Sequence, residues 1–170
     1  MRFKSWFGLA AAALAPGAAA CAGEIDPVAS ASERFEAALS GGNEVPAVTT
    51  GATGTARFWV VEDTFLVYRL DVAALDSPTV AHIHEGAAGV NGGIIVTLYP
   101  GPTRGRGYTG PLRFGQSKPS QLTGLPAGYG ADTRARFDSL LELMRAGNAY
   151  VNVHTRKNPG GEVRAQVQRQ

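Results

Sequence analysis

Sulfur and imidazole are scarce in this chain: one cysteine, two methionines and three histidines occur among 170 residues. A lone cysteine cannot close an intrachain disulfide, so stability must come from packing and hydrogen bonds. The N-terminal apolar run, residues 6–20, is interrupted by Pro16 and is shorter than the ~20 residues a membrane-crossing helix needs. No Gly-x-Ser-x-Gly elbow, phosphate-cradling Gly loop or His-Glu-x-x-His pair is present. Their absence excludes the commonest hydrolase, nucleotide and zinc-protease signatures.

What the N-terminus does contain is specific. Arg2 and Lys4 precede the apolar run, and Ala18-Ala19-Ala20-Cys21 follows it. Residues 1–20 are therefore expected to be a secretory signal. Two readings of Cys21 stand. Its context resembles a bacterial lipoprotein cleavage box, which makes Cys21 the lipidated first residue of a membrane-anchored envelope protein. Ala18 departs from that box, where Leu is usual, and Ala18-x-Ala20 also suits ordinary cleavage to a periplasmic or secreted product. Residues 1–20 hold two of the 16 basic residues and none of the 14 acidic ones, leaving 14 of each in the remainder. No net field is left to attract nucleic acid.

Residues 21–33 read as the attachment cysteine and a linker, and residues 34–170 as one domain, of a size that supports a real core. The 22 glycines and ten prolines imply short elements and many turns. Phe35, Ala37 and Leu39 alternate with polar or small neighbours, and Leu66, Tyr68, Leu70 and Val72 alternate with Arg69 and Asp71. This period of two marks half-buried strands. Glu62-Asp63-Thr64 reads as a tight turn between two of them. Seven or eight such strands predict an antiparallel sandwich. One stripe, Phe137, Leu140, Leu141 and Met144, has helical spacing, with Asp132 or Thr133 to cap it, Arg145 in its last turn and Gly147 to end it. Residues 100–130 read as a long Gly/Pro-rich loop carrying Arg104, Arg106, Arg113 and Lys118 and no acid. Those cations either pair with acids elsewhere on the fold or meet an anionic glycan, phosphate or lipid headgroup.

All three histidines fall in two hairpin-like segments with related wording. The first is Ala81-His82-Ile83-His84-Glu85-Gly86, a turn at Asn91-Gly92-Gly93, and Ile94-Ile95-Val96-Thr97-Leu98-Tyr99. The second is Tyr150-Val151-Asn152-Val153-His154-Thr155, a turn at Asn158-Pro159-Gly160-Gly161, and Glu162-Val163-Arg164-Ala165-Gln166-Val167. Residues two apart in a strand share a face, so His82 and His84 point together, as do Asn152 and His154. If the two hairpins are neighbours, three imidazoles converge, and His82, His84 and His154 become a candidate copper or zinc site. Alternatively the rings only bond carboxylates or backbone and brace the strand ends, with Glu44, Glu85 and Glu162 as acceptors. A Glu–His pair would raise the histidine pKa. Because each histidine precedes a Gly-Gly turn, the three are expected together at one end of the fold, with Glu85 or Glu162 within hydrogen-bond reach.

The order Leu39-Ser40-Gly41-Gly42-Asn43-Glu44-Val45-Pro46, Ala81-His82-Ile83-His84, and Tyr150-Val151-Asn152-Val153-His154-Thr155 with Asn158-Pro159-Gly160-Gly161-Glu162 resembles the CHRD (chordin-type) domain. The likeness spans residues 35–167. It implies an all-β, immunoglobulin-like antiparallel sandwich (Greek-key, superoxide-dismutase-like) in an extracytoplasmic setting; it does not imply an enzyme activity. Glu44, His82, His84, Asn152, His154 and Glu162 match the family pattern, whereas Glu85 stands where Gly is frequent. His82-Ile83-His84-Glu85 also resembles a run in copper/zinc superoxide dismutases, but three histidines are too few for their bimetallic site. The expectation is a non-catalytic binding or structural module of the cell envelope, attached to the membrane through lipidated Cys21 and meeting a protein or glycan partner. The alternative is a mononuclear copper- or zinc-binding protein or metal-dependent enzyme.

Overall fold

The computed structural model describes residues 28–122, 124 and 132–170. The expected signal, Cys21 and residues 22–27 of the expected linker lie outside the described residues. Among the described residues nine strands form: β1 (Glu33–Ser40), β2 (Thr53–Val61), β3 (Phe65–Leu75), β4 (Pro78–Glu85), β5 (Ile94–Tyr99), β6 (Tyr108–Ser117), β7 (Ala149–Thr155), β8 (Val163–Gln166) and β9 (Gln168–Arg169). They make one antiparallel sheet in the order β5-β4-β7-β8-β1-β2-β3-β6, with β9 also on β1. The sheet is nearly closed into a barrel, so the expected all-β, sandwich-like class holds. Across the seam between its edge strands, Tyr68 of β3 donates its hydroxyl to Leu98 O of β5 at 2.7 Å.

The alternating residues fall where the period of two puts them. Phe35, Ala37 and Leu39 are buried, as are Leu66, Tyr68, Leu70 and Val72. On the outer side of β3, Arg69 Nε reaches Asp71 Oδ2 at 2.7 Å. The turn between β2 and β3 holds Glu62 at φ 52° and Asp63 at φ 49°, and Thr64 N donates to Val61 O. Two consecutive left-handed residues match the right-handed twist of the strands they join.

The helix α1 (Thr133–Arg145) begins where Asp132 accepts the backbone N–H of Ala135 at 2.7 Å. Its stripe of Phe137, Leu140, Leu141 and Met144 is buried in the core, and Gly147 at φ 71° ends the turn that leads into β7. Arg145, in the last turn, pairs with Glu33 at the start of β1.

The reading of residues 100–130 as one loop is corrected: β6 occupies Tyr108–Ser117 and pairs with β3. Its pattern was hidden because β6 is at the edge of the sheet and only Leu112 and Ser117 in it are buried. A register shift opposite Leu70 and Asp71 accommodates Pro111, which an edge strand tolerates. Gly115 is required where it stands, since a Cβ there would lie 2.6 Å from the Tyr68 hydroxyl.

Candidate metal centre

β4 and β7 are neighbours, in a register that sets Val80 opposite His154, His82 opposite Asn152 and His84 opposite Tyr150. Ile83, Val151 and Val153 turn into the core and are fully buried. The alternate residues therefore share the outer face, where β8 adds Arg164 and Gln166 beside Asn152 and Tyr150.

That outer face is roofed rather than open. Residues 86–93 fold back over it, with Gly92 N donating to the Tyr150 hydroxyl at 3.1 Å and Gln166 Nε2 to Gly86 O at 2.9 Å. Arg164, only 1% exposed, donates to Asn91 Oδ1 at 2.7 Å and to Val90 O at 2.6 Å. Its guanidinium lies 3.4 Å from the Tyr150 ring centroid, and the His84 ring stacks on Tyr150 at 4.8 Å and 8°. Tyr150 is thereby fixed by a ring, a cation and a backbone donor.

The three imidazoles come together. Ring centroids are 5.5 Å apart for His82–His84, 5.0 Å for His82–His154 and 6.1 Å for His84–His154. One nitrogen from each lies within 4.8 Å of the others. The place and cause differ from expectation. β4 and β7 are antiparallel, so their two Gly-Gly turns sit at opposite ends, and the cluster bridges the middle of the pair.

Backbone carbonyls set the tautomers. His84 Nδ1–H donates to Gly92 O at 3.1 Å and His154 Nδ1–H to Pro159 O at 2.9 Å, because a carbonyl can only accept. Both rings consequently present a bare Nε2. That of His84 is buried without a partner, while that of His154 lies 3.1 Å from His82 Nδ1. Two nitrogens each ~2.0 Å from a tetrahedral ion sit roughly 3.3 Å apart, so this spacing suits a shared metal as well as a hydrogen bond. Binding would need the His84 ring to close in on the other two. Carbonyls orienting the distal nitrogen of each ring are the usual outer support of imidazole ligands.

Electrostatics keep the rings neutral, as ligands must be. Burial, followed by the nearby His154 and His84 rings, pushes His82 down to about 4. Burial also lowers His84 and His154, against the raising effect of their carbonyl bonds. The expected Glu–His pair is not what the rings bond to: their partners are two backbone carbonyls and each other.

The carboxylates serve other partners. Glu162 accepts from Thr50 Oγ1 at 2.8 Å and Thr155 Oγ1 at 2.7 Å, tying two turns together. Glu85 follows His84 in the strand and so alternates away from the imidazole face; its backbone N–H donates to Gly93 O at 3.0 Å. Glu44 accepts both bonds from Asn152 Nδ2, at 3.0 and 2.9 Å, and burial raises its carboxyl to about 7 despite Arg164 nearby. With Nδ2 so engaged, Asn152 Oδ1 is a second buried acceptor without a partner. Gly161, at φ 138°, is packed beneath this pair, since a Cβ would lie 2.3 Å from Asn152 Nδ2.

Sequence reasoning missed Tyr150, Arg164 and the two supporting carbonyls. Tyr150 and Arg164 were legible only as members of a strand pattern, and carbonyl partners leave no residue-type signal at all. The signal that did exist was the Gly-Gly turns, since the second glycine of one of them, Gly161, leaves room for the Glu44–Asn152 pair.

The CHRD domain model matches residues 35–167 of the chain. No curated protein and no solved structure matches it.

Proposed function

Because the chain belongs to the CHRD domain family, we propose that it is an exported binding module of the cell envelope that holds one copper or zinc ion through His82, His84 and His154. The observation that carries the metal reading is the bare Nε2 of His84, buried without a partner inside a three-imidazole cluster. An unpaired buried acceptor costs about 1–3 kcal/mol, and a bound cation removes that cost. The donor set is all imidazole, which suits zinc and copper rather than magnesium or calcium. His82 and His154 are partly exposed and give an ion its path inward.

The envelope location is supported by the basic–apolar N-terminus and by Cys21 in its lipobox-like setting. Among the described residues no helix is long and apolar enough to cross a membrane.

The reading is one of binding rather than catalysis. The carboxylate nearest in kind to an acid–base group, Glu44, is committed to Asn152.

The test is metal uptake by the purified protein at neutral pH, followed by competition titration and elemental analysis. Near-stoichiometric Cu²⁺ or Zn²⁺ that is lost in His84→Ala supports the site. A wild-type protein that takes up neither ion defeats it and leaves the cluster a structural brace.

A further inference from the structure

The histidine site leaves one strongly charged feature unexplained, at the far end of the barrel. An open hollow of about 640 Å³ is lined by Asp76, Ser77, Arg106, Arg156 and Lys157. Three cations thus face one carboxylate, and that carboxylate is already held by Arg106 Nε at 3.2 Å and by Ser77 Oγ at 3.2 Å. Arg156 and Lys157 come from the β7–β8 turn, Asp76 and Ser77 from the β3–β4 turn, and Arg106 from the β5–β6 connection. Their closeness is a product of the fold alone.

The hollow is preformed. Arg156 N donates to Ser77 O at 3.2 Å, locking two of its walls together. Ala74 and Ser77 both occupy the left-handed region, at φ 56° and 61°, and Thr109 Oγ1 accepts the Ala74 N–H at 2.9 Å. The backbone N–H of Arg104 bonds Pro78 O, next to Ser77, and its guanidinium is held outside the hollow, 6.0 Å from the Tyr99 ring and 5.7 Å from the Tyr108 ring.

We infer that this hollow binds a polyanionic glycan bearing carboxylate or sulfate groups. Guanidinium forks match such groups in pairs, and three cations across one opening suit repeated charges better than a single small ion. A bilayer is the poorer fit, because the large exposed apolar side chains, Val90, Ile94 and Phe114, are not among the residues lining it. Position favours an outward-facing role. β3 runs from the hairpin next to Glu33 to Asp76, so the hollow lies roughly 33 Å from where the described chain begins and ends. A domain attached by its N-terminus would present this end to the surroundings. The inference does not depend on the metal reading.

The experiment compares the protein on immobilised heparin, on polygalacturonate and on phosphatidylglycerol vesicles at about 50 mM salt. Binding to at least one of the two polysaccharides is expected, weakening steeply as salt rises. R156Q/K157Q should weaken it by about tenfold or more, with an unchanged melting temperature. Removing two cations outside the hollow, in K118Q/R134Q, should leave it within about twofold. Capture by vesicles but by neither polysaccharide overturns the inference in favour of lipid. No capture by any of the three, or an equal loss in both double variants, overturns it outright.

Discussion

His82 Nδ1 and His154 Nε2 face each other at 3.1 Å across two antiparallel strands, although 72 residues separate them in the chain. In the metal-free protein this spacing is a hydrogen bond in which His82 donates to the bare nitrogen of His154. An ion shared by the two rings would replace that proton, which couples metal binding to pH and to stability.

The first prediction follows from that exchange. With free Cu²⁺ or Zn²⁺ about a hundredfold above Kd, binding adds roughly 2.7 kcal/mol to the folded state. For a domain of this size that raises the melting temperature by roughly 6–10 °C. His84→Ala should remove the metal-induced rise, read by differential scanning calorimetry with and without metal. An undiminished rise in the variant would exclude His84 as a ligand.

Acid should destabilise the metal-free protein, with Glu44 working in the opposite sense. The three imidazoles are lowered in the folded protein, His82 to about 4, and protonate near their ordinary value of 6.5 when unfolded. Their contribution is complete above about pH 6.5 and is lost as the pH falls toward the folded values. Glu44 is raised from 4.5 to about 7, so its contribution is present at low pH and is lost as the pH rises through about 7. Glu44→Gln removes the opposing contribution. Its urea midpoint should then fall more steeply than that of the wild type between about pH 7 and 5; parallel profiles would contradict the assignment.

Two adjacent glycines should behave very differently. Gly161→Ala places a methyl 2.3 Å from Asn152 Nδ2 and 2.7 Å from Glu44 Oε1, at φ 138°. It should cost about 2–4 kcal/mol. Gly160→Ala meets nothing within 4 Å and should stay within about 0.5 kcal/mol of the wild type. Urea unfolding of the two variants side by side reads the difference, and equal stabilities would show that the Glu44–Asn152 pair does not depend on the close approach of Gly161.

Tyr68→Phe tests the seam of the barrel. It deletes the hydroxyl that bonds Leu98 O and leaves that carbonyl unpaired next to a buried residue. A loss of about 1–2 kcal/mol in equilibrium unfolding is expected, and no loss would mean that other contacts hold the edges together.

The anchor is tested by mass spectrometry of the membrane fraction, which should find Cys21 as the diacylglycerol-modified N-terminal residue. Two or three acyl chains, at about 0.8 kcal/mol per buried CH₂, would hold the protein firmly. A soluble product beginning at unmodified Cys21 or at Ala22 would remove the anchor and leave the domain as described.

What could be read from the sequence was whatever is local and periodic. The alternation of Phe35, Ala37 and Leu39, the stripe from Phe137 to Met144, the Asp132 cap and the pairing of each histidine strand with its own return strand all depend on neighbours a few residues apart. Strand alternation by itself also sets His82 and His84 on one face. β6 is not legible in the sequence because an edge strand with little buried surface, Pro111 and Gly115 carries almost no period-two signal. The three-histidine cluster, the carbonyls that orient it, the Glu44–Asn152 pair and the cationic hollow were decided by the tertiary structure. They join residues of β4 to β7, of β1's following turn to β7, and of three connections at one end of the barrel. Register between distant strands comes from burying the whole core at once, and no single segment carries that information.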